Sequence, residues 1–166
     1  MRPNVIAIAA VLASLAPAVA HAKSPRFEDY AVRQVLNEPA AAPILDDEAK
    51  RAFRTRLRQA AKAPPNFAGR YSVVTWGCGT NCIQGMLLNR KTGEVLALPS
   101  DGDSELMDMR FEAGSALMTM TNRSYVAQLD LDREPTTTFF VFTGKAFKVV
   151  HRDVDRKRKW ADIPAD

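Results

Sequence analysis

The chain has 166 residues, two cysteines, 46% hydrophobic residues and a formal charge of +4. That length carries one domain with its own core, and no internal repeat with a period of 20–50 residues is visible, which excludes a solenoid or propeller. Much of the basic excess is local, in 51–58 and 156–159, and neither run is interleaved with aromatic residues, so no nucleic-acid partner is expected.

Arg2 gives a weakly positive start, 5–16 is an apolar run, and Pro17 precedes small residues. Ala20-His21-Ala22 fits an A-x-A cleavage site, with Ala18-Val19-Ala20 as the alternative. The run is too short to span a bilayer comfortably and no stop-transfer segment follows it. The pattern predicts a signal peptide over 1–22, set against an uncleaved N-terminal anchor. Cleavage there would leave 144 of the 166 residues, a single secreted domain over 23–166 with no transmembrane segment, in a bacterial periplasm or outside the cell.

Residues 23–43 contain Phe27, Tyr30, Val32, Val35 and Leu36 before an Ala/Pro stretch. Five large apolar residues are more than a free tail carries, so this leader is expected to dock along an edge of a sheet. A helix is predicted over 46–62. Asp46, Asp47 and Glu48 load its N-terminus, and Arg54, Arg56, Arg58 and Lys62 load its later turns, as the macrodipole favours. Its apolar stripe is narrow, with only Phe53 and Leu57 large, and Pro64-Pro65 ends it. Such a helix lies on a sheet with its arginines in solvent.

After Asn66-Phe67-Ala68-Gly69 the hydrophobic period changes from 3.6 to 2. Candidate strands are 71–76, 83–89, 94–98, 106–111, 116–121, 125–131, 137–142 and 146–152, separated by short turns that force antiparallel neighbours. The expected fold is α+β and mainly antiparallel β. It is a meander of about eight strands over 70–153, bent or closed into a small barrel, with one N-terminal helix packed on it and a loose basic tail over 154–166. A four-residue loop at 112–115 would set Phe111 opposite Ala116, Met109 opposite Met118 and Met107 opposite Met120, with the methionine face inward. Phe139–Phe142 is apolar on both parities and reads as a central strand covered on both sides, one of them by the helix.

The chain centres on Trp76-Gly77-Cys78-Gly79-Thr80-Asn81-Cys82. In an exported protein two nearby cysteines form a disulfide, and Gly79 and Asn81 let the chain turn tightly enough to close it. A loop this short contributes only roughly 2 kcal/mol by the chain-entropy argument, so the bond shapes one turn rather than holding the domain together. Trp76, Gly79, Thr80 and Asn81 are the candidate binding residues of that turn, with backbone N–H groups available to an unknown small ligand or periplasmic protein.

Two other chemistries compete. The thiols of Cys78 and Cys82 with the thioethers of Met107, Met109, Met118 and Met120 form a soft donor set suited to Cu(I), against which stands ordinary methionine core packing. Cys78 could pair with His151, the single histidine after residue 22, as a cysteine enzyme would require; no C-x-x-C spacing or βαβ pattern supports it. No catalytic constellation and no cofactor motif is visible, and Asp101-Gly102-Asp103 and Asn122-Arg123-Ser124 read as turns. The leading expectation is a non-catalytic binding or interaction module. Periplasmic copper handling is the alternative and a cysteine-dependent enzyme the third reading.

From Pro65-Asn66-Phe67-Ala68-Gly69-Arg70-Tyr71 through Trp76–Cys82 the chain resembles a group of small exported bacterial proteins sharing an N-F-A-G-x-Y … W-G-C-G-T-x-C core. Phe53–Arg58 ahead of it and Lys91-Thr92-Gly93 after it extend the likeness. The resemblance implies export and a shared architecture and supplies no reaction. Plain aliphatics in that group's middle strands, where this chain has methionines, imply methionine as core filler.

Overall fold

The computed structural model describes residues 23–36, 38–79, 82–99, 104–124 and 135–154, with the backbone alone at 104–107 and 123–124. The expected signal peptide, the tail beyond Val154, the candidate strand 125–131, Thr80 and Asn81 lie outside the described residues, as does the side chain of Met107.

The chain is α+β. A 3₁₀ turn (Phe27–Tyr30) leads to helices α1 (Glu48–Ala52) and α2 (Arg54–Lys62), followed by strands β1 (Tyr71–Gly79), β2 (Cys82–Asn89), β3 (Val95–Ala97), β4 (Ser104–Phe111), β5 (Leu117–Ser124), β6 (Thr136–Phe142) and β7 (Phe147–Val154). These seven strands form two antiparallel meanders, ordered β1-β2-β3 and β4-β5-β6-β7. The expectation of one bent sheet or a small barrel is therefore corrected: the described strands make two sheets, and no ladder closes them into a barrel.

Alternation along β1 and β2 explains the layering. Val73 and Leu87 point to one face and join Phe67, Tyr71, Met118, Met120, Phe140 and Phe142 in a core shared by both sheets. Val74 and Leu88, one residue on, point to the other face and meet Leu57 and Val95 in a second cluster under the helix. The order of layers is thus helix, three-stranded sheet, four-stranded sheet. Leu57, fully buried, is the one buried residue of α2, as its narrow stripe predicts.

The single expected helix is divided. Asp47 caps α1 by accepting from the Lys50 N–H at 2.8 Å, but Phe53 leaves helical geometry (φ −100°, ψ 16°) where its ring stacks on Trp76. The i→i−4 bonds Phe53 N–H to Ala49 and Leu57 N–H to Phe53 carry the axis across this break. The helix also covers a different strand from the one expected: it packs on β1 and β2, not on Phe139–Phe142. β6 is nevertheless central, and its Thr138, Phe139, Phe140 and Phe142 are buried.

The methionine face does point inward, with Met118 and Met120 essentially inaccessible and Met109 packed against the same core. The register differs from expectation by two residues: Phe111 pairs with Met118 and Met109 with Met120, and Met107 falls in a bulge between Leu106 and Asp108. The leader is the reason. Ala31 bridges Ser115 and Tyr30 accepts from the Ala116 N–H, so these two residues are taken before β5 can begin at Leu117. A two-residue slip preserves which face each side chain occupies, which is why the buried set is unchanged.

Beyond Ala31 the leader runs along both sheets. Val32, Leu36, Ala41 and Ile44 donate their N–H groups to Gly114, Gly69, Arg90 and Gly93, at 2.7–2.8 Å. Gly93 has φ +78°, and a Cβ there would sit 2.1 Å from the Ala42 carbonyl oxygen. Only glycine allows both that conformation and that approach.

Candidate functional site

The two conspicuous motifs have different structural positions. In Asn66–Tyr71 the Tyr71 N–H donates to Phe67 O and the Phe67 N–H to Tyr71 O, closing a tight turn that inserts Phe67 fully into the core. The Asn66 side chain donates to Val73 O at 3.0 Å and accepts from the Val73 N–H at 2.7 Å. β1 is an edge strand, and this amide supplies at one residue the ladder that a neighbouring strand would otherwise provide. The motif is thus accounted for by folding alone.

The Trp76–Cys82 stretch is the far end of the β1–β2 hairpin. The ladder runs from Tyr71 opposite Asn89 to Gly77 opposite Ile83, then shifts so that Gly79 faces Cys82 and Cys78 bulges out. Cys78 and Cys82 are joined by a disulfide across a Cα separation of 5.1 Å. Gly79 has φ +141°, a conformation closed to residues with a Cβ, although nothing lies within 4 Å of where that atom would be. Residues 71–74 are buried whereas Thr75, Gly77, Cys78 and Gly79 are exposed, so the hairpin tip projects beyond the core. Trp76 is half-buried, its ring stacked on Phe53 with centroids 3.7 Å apart. That contact fastens the helix to the base of the tip and commits one face of the indole to packing.

The competing donor sets are not brought together. Both cysteine sulfurs are bonded to each other and offer no thiolate, and Cys78 is exposed at the tip whereas Met118 and Met120 lie in the closed core between the sheets. His151 stands on β7, edge-on to Phe139 at 5.4 Å, with Nε2 2.7 Å from an Asp153 oxygen. The other Asp153 oxygen accepts from the Ser24 hydroxyl at 2.5 Å. The Ser24 bond first, and then the His151 contact, hold the Asp153 carboxyl below the usual carboxylate range. The sequence reading missed this link, which ties the start of the leader to the last strand.

It also missed Arg90, which is 95% buried although charged. Its guanidinium donates to Ala60 O at 3.0 Å, Ala61 O at 3.3 Å, Ala63 O and Glu38 O at 3.1 Å. The signal was present in Pro64-Pro65. The carbonyls of Ala60 and Ala61 would ordinarily receive the N–H groups of residues 64 and 65, and proline has none. A positive charge at the negative end of α2 replaces both donors and suits the dipole.

Among the described residues no group of three or more His, Cys, Asp or Glu is arranged to hold a metal ion, and no helix is long and apolar enough to cross a membrane. Comparisons with protein-family models, with curated proteins and with solved structures gave no match.

Proposed function

We propose that this chain is an exported, non-catalytic binding module, working in a periplasm or outside the cell, whose recognition surface is the disulfide-closed tip of the β1–β2 hairpin. The observation that carries the reading is the contrast along β1. Four consecutive buried residues give way to an exposed tip with a bulge, a glycine at φ +141° and a covalent staple. The core does not need that staple, since the ladder below it is continuous from Tyr71 to Gly77. A disulfide at the exposed end of β1 whose stabilising contribution is small is better explained by what it presents than by what it holds. The apolar run at 5–16, the A-x-A pattern and the resemblance to exported proteins support the compartment, and a disulfide suits it.

Photo-cross-linking in the cells that export the protein tests the reading. A photoreactive residue at Thr80 is expected to give a discrete adduct that Asn81→Ala weakens. The same residue at Lys145, in the β6–β7 turn near the opposite end of β1, gives none. Lys145 belongs to the other end of β1 from Cys78 and Gly79, because the Tyr71 hydroxyl at the start of that strand lies 3.4 Å from Gly144 O. Equal labelling from both positions, or none from Thr80, overturns the assignment.

A further inference from the structure

The exposed face of the helix pair carries a second surface, unrelated to the hairpin tip. Arg51, Arg54, Arg58 and Lys62 recur at i, i+3, i+7 and i+11, and all four are exposed. At 100° per residue they fall in one stripe about 80° wide, to one side of Leu57, which faces the sheet. The stripe is about 16 Å long at 1.5 Å per residue. Among the described residues no carboxylate pairs with any of the four: Arg51 donates to the carbonyls of Leu45 and Asp46, and Arg54 to that of Arg51. The acids at the start of α1 are already engaged, with Lys50 Nζ at 2.6 Å from Asp46 and 3.2 Å from Asp47. Near the C-terminus of α2 lies a small cleft whose charged lining is Arg70, Arg90, Lys91 and one acidic residue, Glu38. Arg90 reaches that cleft from beneath the C-terminus of α2, and its buried Nε has no hydrogen-bond partner.

We propose that this face docks on the anionic surface of a phospholipid bilayer, the cations meeting lipid phosphates without insertion. Charge complementarity selects the partner. Beside the stripe Thr55, Arg56 and Gln59 are exposed, and α2 exposes no large apolar residue, so the face lacks the apolar anchor that a protein interface is built around. It also lacks the aromatic platforms that single-stranded nucleic acid needs. A straight row of unpaired cations matches a plane of phosphates, and each contributes roughly a fivefold gain in partition near such a surface, screened within a Debye length.

The test measures vesicle binding of the full chain purified after export. Vesicles of phosphatidylglycerol and phosphatidylethanolamine should retain it at low salt and release it at 0.5 M salt, roughly the regime where screening shrinks to a few ångströms. Vesicles of phosphatidylcholine alone should not retain it. The double substitution Arg54→Gln with Arg58→Gln, both solvent-facing, should weaken binding roughly 25-fold, two steps of the per-cation factor. Lys145→Gln with Lys148→Gln, which removes the same charge from the far turn and β7, should leave it within about twofold. Circular dichroism confirms that each variant is folded. Equal loss in the two variants would reduce the effect to net charge and overturn the proposal, as would failure to bind the anionic vesicles. Binding to heparin or polyglutamate while those vesicles fail would assign the face to an anionic polymer and likewise overturn it.

Discussion

Replacing Arg90 by methionine keeps the apolar stem and removes the guanidinium that serves the end of α2. Three acceptors at Ala60, Ala61 and Ala63 share the two Nη1 protons, and Glu38 takes one from Nη2, so three protons are engaged. At about 1 kcal/mol net for each, the loss is about 3 kcal/mol. The dipole contribution raises this figure, and relief of burying a charge lowers it. Guanidinium unfolding, followed by tryptophan fluorescence, should show a loss of unfolding free energy of that size. In thermal unfolding the same loss corresponds to a fall of roughly 10 °C for a chain of this length. Hydrogen exchange should accelerate first at the amides of Leu57 to Ala63, because the fault is local to the helix end. Lysine at the same position should recover no more than about half, since one ammonium reaches either the helix carbonyls or Glu38 but lacks the planar fork that spans both. A loss below about 1 kcal/mol, or full rescue by lysine, would show that water satisfies those carbonyls as well as Arg90 does.

Gly93→Ala should cost at least about 2 kcal/mol, combining an L-residue at φ +78° with a Cβ 2.1 Å from Ala42 O, and proteolysis should then release the leader. Gly114→Ala, with no atom within 4 Å of its Cβ, is the control and should stay within about 0.5 kcal/mol in the same denaturation assay. Replacing both Cys78 and Cys82 by serine should lower stability by no more than roughly 2 kcal/mol and leave the far-ultraviolet spectrum intact, because the ladder from Tyr71 to Gly77 persists without the bond. Asp153 is held below its ordinary pKa by Ser24 and His151, so the stability it contributes is present above the unfolded carboxylate value and is lost as pH falls through the lowered folded value. Asp153→Asn should therefore destabilise the protein at pH 6, and unfolding curves of mutant and parent should converge in strong acid. A gap that persists there would place the effect in packing rather than in the ionised carboxylate.

What could be read from the sequence divides by the range of the interaction responsible. Periodicity over a few residues located the helical region and the strands of both meanders, although β5 runs on through Asn122-Arg123-Ser124, which the turn signal placed outside it. It also gave the correct inner face for Met109, Met118 and Met120. Those judgements need only the side-chain period, which the leader's capture of Ser115 and Ala116 does not alter. The register itself depended on that capture, a contact between residues some 85 positions apart for which the loop 112–115 held no signal. Division into two sheets was equally non-local. Short turns dictate that neighbours are antiparallel but not where a ladder stops, and 98–103 separates β3 from β4 without marking a change of sheet. The helix was assigned to Phe139–Phe142 because both faces of that strand demanded cover. In the structure β1 and β2 make the same demand through Val74 and Leu88, which stand next to Val73 and Leu87.

Arg90 shows how a missed residue could have been found. The prolines that end α2 were read as a stop signal, yet they also create a debt of two donors, because the carbonyls of Ala60 and Ala61 lose the amides that normally reach them. A buried helix end of this kind requires a donor from elsewhere in the chain, and a cation is favoured there by the dipole. Lys91-Thr92-Gly93 places its preceding residue at the end of β2, the strand on which the helix lies, so Arg90 is the cation that the turn delivers to that spot. The two ends of the first hairpin differ in how much of their geometry the fold explains. At its base Asn66, Phe67 and Arg90 are consumed by satisfying backbone groups and filling the core, whereas at its tip Gly77, Cys78 and Gly79 satisfy nothing beyond their own turn. Residues whose special geometry is unexplained by the fold are where function is best sought, and in this chain they gather around the disulfide.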